Sequence, residues 1–288
     1  MKKILSAVFS TSLLTFPLSA QQPQSQPQQQ QPTHQPSQQS QQSQSQPTNS
    51  QAGAAPSGQP RPKSQKESEA LRKVQTDNQA QNWDAEITDI NAVLENFADT
   101  DYKILLLNMG MDASQRKGDA ASVVTFGERI MQADPKDVTA HVALAEGTAQ
   151  RTRENDLDKD QSIKKIRDYA NGALANMQTS TPPAGVSEAQ WPDFKKQLTS
   201  QAYDALGQAD ELDKKYPDAI THFKSAIDAQ PENPVPLARL SKAYVENKQY
   251  DDAITTADKV LAMNAAPAQI KQFAQAQKDS ATKLKTAK

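Results

Sequence analysis

Residues 200–233 read SQAYDALGQADELDKKYPDAITHFKSAIDAQPEN, and the next 34 residues follow the same layout. Counting Ser200 as position 1, Tyr203, Leu206, Gly207, Tyr216, Ala219, Phe223, Ala226 and Pro231 fall at positions 4, 7, 8, 17, 20, 24, 27 and 32. From Pro234 onward, Leu237, Leu240, Ser241, Tyr244, Tyr250, Ala253, Ala257 and Val260 take positions 4, 7, 8, 11, 17, 20, 24 and 27, with Ala265 in place of the proline. The spacing predicts two antiparallel helices per unit. Small residues at 207 and 219 let the helices cross closely, and Ala226 leaves room for the next unit. Leu206, Phe223 and Ile227 fill the seam, and Pro231 stops the second helix because it lacks an N–H and clashes with the preceding turn. A fixed period of this length is the mark of a stacked repeat.

In these positions the segment resembles the tetratricopeptide repeat. It departs at position 11 of the first unit, where Asp210 replaces the usual aromatic. The period extends upstream. Residues 104–137 carry Leu107, Gly110, Ala120, Val123, Ile130 and Pro135, with Gly118 and Asp119 at the expected turn. Residues 67–100 carry Ala70, Val74, Trp83, Ile90 and Val93. Residues 138–153 and 160–177 read as a further, irregular hairpin around the charged run RTRENDLDKD, so an insertion is expected at 151–160. A second, TSTPPAGVSEAQWPD, is expected around 179–192, with Trp191 clipped onto the solenoid. Ile270, Phe273, Ala274, Ala281 and Leu284 form one apolar stripe on a last helix, as a cap requires. The expected fold is all-α: a solenoid of about five hairpins with a capping helix over 67–288, preceded by a disordered segment.

The first residues differ in kind. Lys2 and Lys3 precede an apolar run from Ile4 to Leu14, then Pro17 and Ala20, which is the layout of a cleavable export signal over 1–20. The apolar run falls short of the ~20 residues needed to span a bilayer. Half of residues 21–50 are Gln, and the segment 21–66 contains no acidic residue and no apolar periodicity. Such a chain cannot bury enough apolar surface to offset the entropy of ordering. It reads as a Gln/Pro/Ser-rich tether. Export, to a periplasm or the exterior, is the expected location.

Composition excludes several classes of chemistry. There is no cysteine, so disulfides, thiolate metal sites and a Cys nucleophile are absent. All thirty-four acidic residues and twenty-seven of the thirty-two basic ones follow Lys66, leaving that region at −7. An acidic body with interspersed signs does not attract polyanions, so no nucleic-acid partner is expected. The histidines at 34, 141 and 222 are scattered, with His141 and His222 read as packing or surface residues. No metal, phosphate-loop or nucleophile motif occurs, so no enzyme activity and no cofactor are expected. The acids Asp210, Glu211 and Asp213 read as a solvated face.

The resemblance implies a concave groove lined by the first helix of each unit at positions 2, 5, 9 and 12. These are Leu105, Asn108, Asp112 and Gln115 in one unit and Gln201, Asp204, Gln208 and Glu211 in another, followed by Val235, Ala238, Lys242 and Val245. The family's carboxylate clamp, with Lys at position 5 and Asn at position 9, is missing: those positions hold Asn108 with Asp112 and Asp204 with Gln208. The expected function is therefore an exported protein–protein interaction scaffold. Its groove, at Asn108, Asp112, Gln115, Gln201, Asp204, Gln208, Glu211 and Lys242, would hold a partner with a basic or mixed surface. The alternative is a cell-envelope assembly or spacer protein held by the Gln-rich tether.

Overall fold

A computed structural model describes residues 60–183 and 185–287, so the expected signal and the tether up to residue 59 lie outside the described residues. Among the described residues there are eleven helices and no strand. They form five hairpins: α1 (Gln65–Gln79) with α2 (Trp83–Asn96), α3 (Lys103–Lys117) with α4 (Ala120–Ala133), α5 (Val138–Arg151) with α6 (Lys159–Asn176), α7 (Trp191–Leu212) with α8 (Tyr216–Ala229), and α9 (Pro234–Glu246) with α10 (Tyr250–Ala262). The last helix, α11 (Ala268–Thr286), covers the end of the stack.

Local chemistry sets the helix ends. The side chains of Ser64, Asn82, Asp119, Asp137 and Asn233 each accept a backbone N–H of the first turn that would otherwise lack an acceptor. Four hairpins turn through one residue in the left-handed region: Gln81, Gly118, Lys214 and Lys248, with φ between 55° and 76°. The fifth, between α5 and α6, instead uses the seven-residue loop 152–158.

The core runs the length of the stack as adjoining apolar clusters, and every hairpin contributes to at least one. Its tightest points are glycines facing phenylalanines. A Cβ on Gly207 would lie 2.5 Å from the Phe223 ring, and one on Gly110 would lie 2.5 Å from Phe126. Both pairs are sixteen residues apart, so they are the same contact in two units. The upstream unit therefore begins at 103, not 104. The slip has a cause: the α3–α4 turn falls one residue later in its unit, with Asp119 capping α4 nine residues after Gly110, whereas Lys215 caps α8 eight residues after Gly207.

Two further boundaries differ from expectation. α1 starts at Gln65 because Ser64 caps it and buried Glu67, three residues on, completes the end. The Glu67 carboxylate accepts from the Lys63 N–H at 2.5 Å and from Thr100 Oγ1 at 2.6 Å. Trp191 does pack into the core, but as the first residue of α7, among Met177 and Leu198. α7 is thus longer than its repeat requires. The cap lies down as the stripe predicts at Ile270, Ala274 and Ala281, which are buried, while Leu284 remains exposed. Lys278 donates to Asp258 of α10 at 2.6 Å, and Lys285 pairs with Asp251.

Gly207→Ala tests the close crossing. An added methyl raises helix propensity by about 1 kcal/mol, but overpacking costs about 1–3 kcal/mol. The expected result is a lower urea midpoint in the wild-type background and recovery in a Phe223→Leu background. An increase in midpoint from Gly207→Ala alone would contradict the packing described.

Candidate functional site

Three first helices, α5, α7 and α9, stand side by side and share a ladder of polar side chains. Gln201 of α7 donates through Nε2 to Glu146 Oε2 of α5 at 3.3 Å. Three residues on, Asp204 is buried, paired with Arg239 of α9 and accepting from Gln208 Nε2 at 3.1 Å. Two turns further, Lys242 Nζ of α9 donates to Glu211 Oε2 at 3.4 Å. The spacing 201, 204, 208, 211 keeps all four on one stripe of α7, as helical periodicity requires.

The environment of these acids is unusual for charged groups. Glu146, Asp204 and Glu211 all have carboxyl pKa values raised, in each case mainly because burial penalises the charged form; for Glu146 the value is pushed up to about 7. The neighbouring Asp204 charge raises Glu146 further, and Arg239 works against it. Three acceptor oxygens of the ladder, Gln201 Oε1, Asp204 Oδ1 and Glu211 Oε1, are buried and receive no hydrogen bond from the protein. Leaving such groups without donors costs about 1–3 kcal/mol each.

The lower end of the ladder opens into a cavity of about 500 Å³. Gln208, Glu211 and Leu212 of α7 form one wall, and Lys242 and Glu246 of α9 form another. The third wall is Ala149 at the end of α5 with Thr152, Arg153 and Glu154 of the long loop; Lys214 and Tyr216 close the base. The seven-residue loop is thus what makes the cavity. It is held by the Arg153 N–H donating to Asp156 Oδ2 at 2.7 Å and by the Lys214–Glu154 ion pair at 2.6 Å, which ties it to the α7–α8 turn.

The residues predicted for the groove divide into two groups. Gln201, Asp204, Gln208, Glu211 and Lys242 come together in the ladder, with Gln208, Glu211 and Lys242 reaching the cavity. Asn108, Asp112 and Gln115 lie on α3 and do not line the cavity. Asn108 Nδ2 donates to its own helix at Ile104 O, and Asp112 accepts from Arg116 Nε at 2.6 Å. Because the α3 frame slips by one, the counterparts of Asp204, Gln208 and Glu211 in that unit are Leu107, Met111 and Ser114, all buried.

Glu146 and Arg239 were not legible as groove residues. Glu146 sits at position 9 of a unit counted from Val138, which is a signal that could have found it. Arg239, at position 6 of its unit, gives none. The reading of Asp210, Glu211 and Asp213 as a solvated face is corrected: Asp210 is buried, and Glu211 and Asp213 are half-buried. Asp210 takes the place of the missing aromatic by accepting from Arg167 Nη2 at 2.8 Å and pairing with His222 Nδ1 at 2.6 Å, while Asp213 also accepts from Arg167. His141 packs edge-on to Tyr169 and against Gly172, with Nδ1 at 2.8 Å from Asp137 O. Among the described residues no group of three or more His, Cys, Asp or Glu side chains could hold a metal ion. No described helix is long and apolar enough to cross a membrane.

Residues 211–277 match the model of the tetratricopeptide repeat family. The chain is similar in fold to TTC0263, a thermophilic TPR protein of Thermus thermophilus, at 12% identity and a TM-score of 0.50, covering 73% of this chain and 98% of that one. It is similar also to MamA (41-end) from Desulfovibrio magneticus RS-1, at 15% identity and a TM-score of 0.50, covering 71% and 98%. No curated protein matches it. The fold is that of a tetratricopeptide-repeat-like α-solenoid, with the family match confined to residues 211–277.

The raised Glu146 pKa has a consequence for stability. The folded state holds this proton up to about pH 7, whereas the unfolded chain releases it near the ordinary glutamate value of 4.5. Stability therefore falls as pH rises through that window and levels off above it. Glu146→Gln, which can still accept from Gln201, is expected to remove about 2.5 kcal/mol of the fall between pH 5 and pH 8. Urea midpoints at the two pH values measure this, and an unchanged slope would contradict it.

Proposed function

We propose that the protein is an exported interaction scaffold that holds an extended segment of a partner protein against α5, α7 and α9. The observation that carries this reading is the polar cavity of about 500 Å³ at the end of the ladder, built by a departure from the repeat pattern. The core is packed without such gaps at the Gly207 and Gly110 crossings, yet here buried acceptors are left without donors. A repeat stack tolerates such costs where they serve binding. Gln208, Glu211 and Lys242 are the partner-facing residues of the groove in this reading, with Gln201 and Asp204 beneath them. Asn108, Asp112 and Gln115, one position off the corresponding stripe of α3, would in this reading offer further polar contacts towards the N-terminal end. Export is supported by the basic, apolar and proline-containing order of residues 1–20.

A specific observation also favours the spacer role. The segment entering α1 is fastened to the α2–α3 turn: Tyr102 Oη donates to Pro60 O at 2.9 Å, and Lys63 pairs with Asp99 and Asp101 at 3.2 and 3.3 Å. Residues 60–63 are therefore fastened to the solenoid, a fixed point of attachment that supports a tether reading.

A photo-crosslinking residue at Gln208, in the full chain expressed in cells, tests the scaffold reading. Capture of a discrete partner from Gln208 but not from exposed Lys224 of α8 is the expected outcome, in a product lacking residues 1–20. Equal capture from both positions would count against a binding groove. A product retaining residues 1–20 would count against cleavage of the signal.

A further inference from the structure

The walls of the cavity are balanced in formal charge but not in hydrogen bonding. Each cation at the wall already has an acceptor. Lys242 donates to Glu211 at 3.4 Å, Lys214 pairs with Glu154 at 2.6 Å, and Arg153 Nη1 donates to the carbonyls of Gln150 and Thr152. The acceptors are in surplus. Glu211, at the wall, takes only the long 3.4 Å bond from Lys242 at its Oε2, while its Oε1 is buried; Glu246 stands exposed on the α9 wall. Leu212 and Tyr216 add apolar surface beside these acids.

An anionic ligand would have to break one of the wall's own ion pairs and would bring still more acceptors. A cation with several N–H groups on an aliphatic stem does the opposite: it supplies a second, closer donor to Glu211 Oε2, pairs with Glu246, and lays its stem along Leu212 and Tyr216. A planar guanidinium, with five donors in a fixed fork, fits a site of spare acceptors better than an ammonium. The volume also leaves space for neighbouring backbone, since ligand sites commonly span about 300–1,000 Å³. We propose that this cavity is the anchor for an arginine side chain of the partner segment, with Glu211 as its principal acceptor and Glu246 as the second. The inference rests on the groove being the partner-binding surface and adds the chemistry of what it grips.

The probe is an acetylated, amidated peptide of alternating alanine and arginine, titrated into the 15N-labelled full chain. The control peptide carries citrulline, which keeps the shape of arginine and removes its charge. Expected are shifts of the 208–214 and 242–246 amides with the arginine peptide and at least about tenfold weaker binding of the citrulline peptide. Glu211→Gln and the exposed Glu246→Gln should each weaken the arginine peptide, by about tenfold for the former. Glu95→Gln, the same charge change on exposed α2, should leave it unaltered.

Equal affinity for both peptides, or an equal effect of Glu95→Gln, would overturn the anchor. Because Glu246 lies on the surface, its variant keeps the test valid if Glu211→Gln unfolds. Failure here is distinct from failure of the scaffold: a partner crosslinked at Gln208 whose capture is indifferent to Glu246→Gln would leave the groove standing and the arginine anchor refuted.

Discussion

Everything in this solenoid depends on how closely two helices can cross at a glycine. With no side chain at Gly207, the Phe223 ring lies where a Cβ would be, and the same arrangement recurs at Gly110 and Phe126. The crossing fixes how closely these two hairpins close, and all five hairpins then stack into adjoining apolar clusters. Since a single hairpin cannot bury its apolar face, stability is shared between neighbours. This lets one stretch of surface be built for something other than stability. The ladder across α5, α7 and α9 is such a stretch: it buries Glu146 and Asp204 and half-buries Glu211, raises their pKa values by desolvation, and leaves acceptors unfilled.

The cavity follows from the one hairpin that does not close tightly. Four hairpins turn through a single left-handed residue, while the third uses the loop 152–158 and swings Arg153 and Glu154 across to face α7 and α9. The Lys214–Glu154 pair joins this loop to the turn of the following hairpin. A departure from the repeat thus becomes a wall. The repeat supplies the frame, and the exception supplies the site.

Much of the fold was legible because each repeat position has one dominant physical demand. Gly207, Ala219, Phe223 and Ala226 could be read directly as a helix crossing and a stacking face, and the hairpins, the charged insertion and the capping helix followed. The frame slip at α3 was not legible, because a turn placed one residue later leaves the apolar stripe nearly unchanged; only the Gly110–Phe126 contact reveals it. Nor was the start of α7, since Pro192 looks like a break in a sequence but is compatible with the first turn of a helix. Of the site, the α7 stripe was readable from helical spacing. Its partners Glu146 and Arg239 are 58 residues before and 35 after Asp204, and no local pattern announces such a pairing. The acids near residue 210 misled for a related reason: Arg167, which buries Asp210, comes from another hairpin.

The central claim is that α5, α7 and α9 with the loop 152–158 form the partner-binding surface. Hydrogen–deuterium exchange of the full chain, with and without the protein it captures in cells, tests this most directly. The account predicts slower exchange in those three helices and the loop on binding, with α4, α8 and α10 unaltered. Protection confined to α4, α8 and α10 would contradict it.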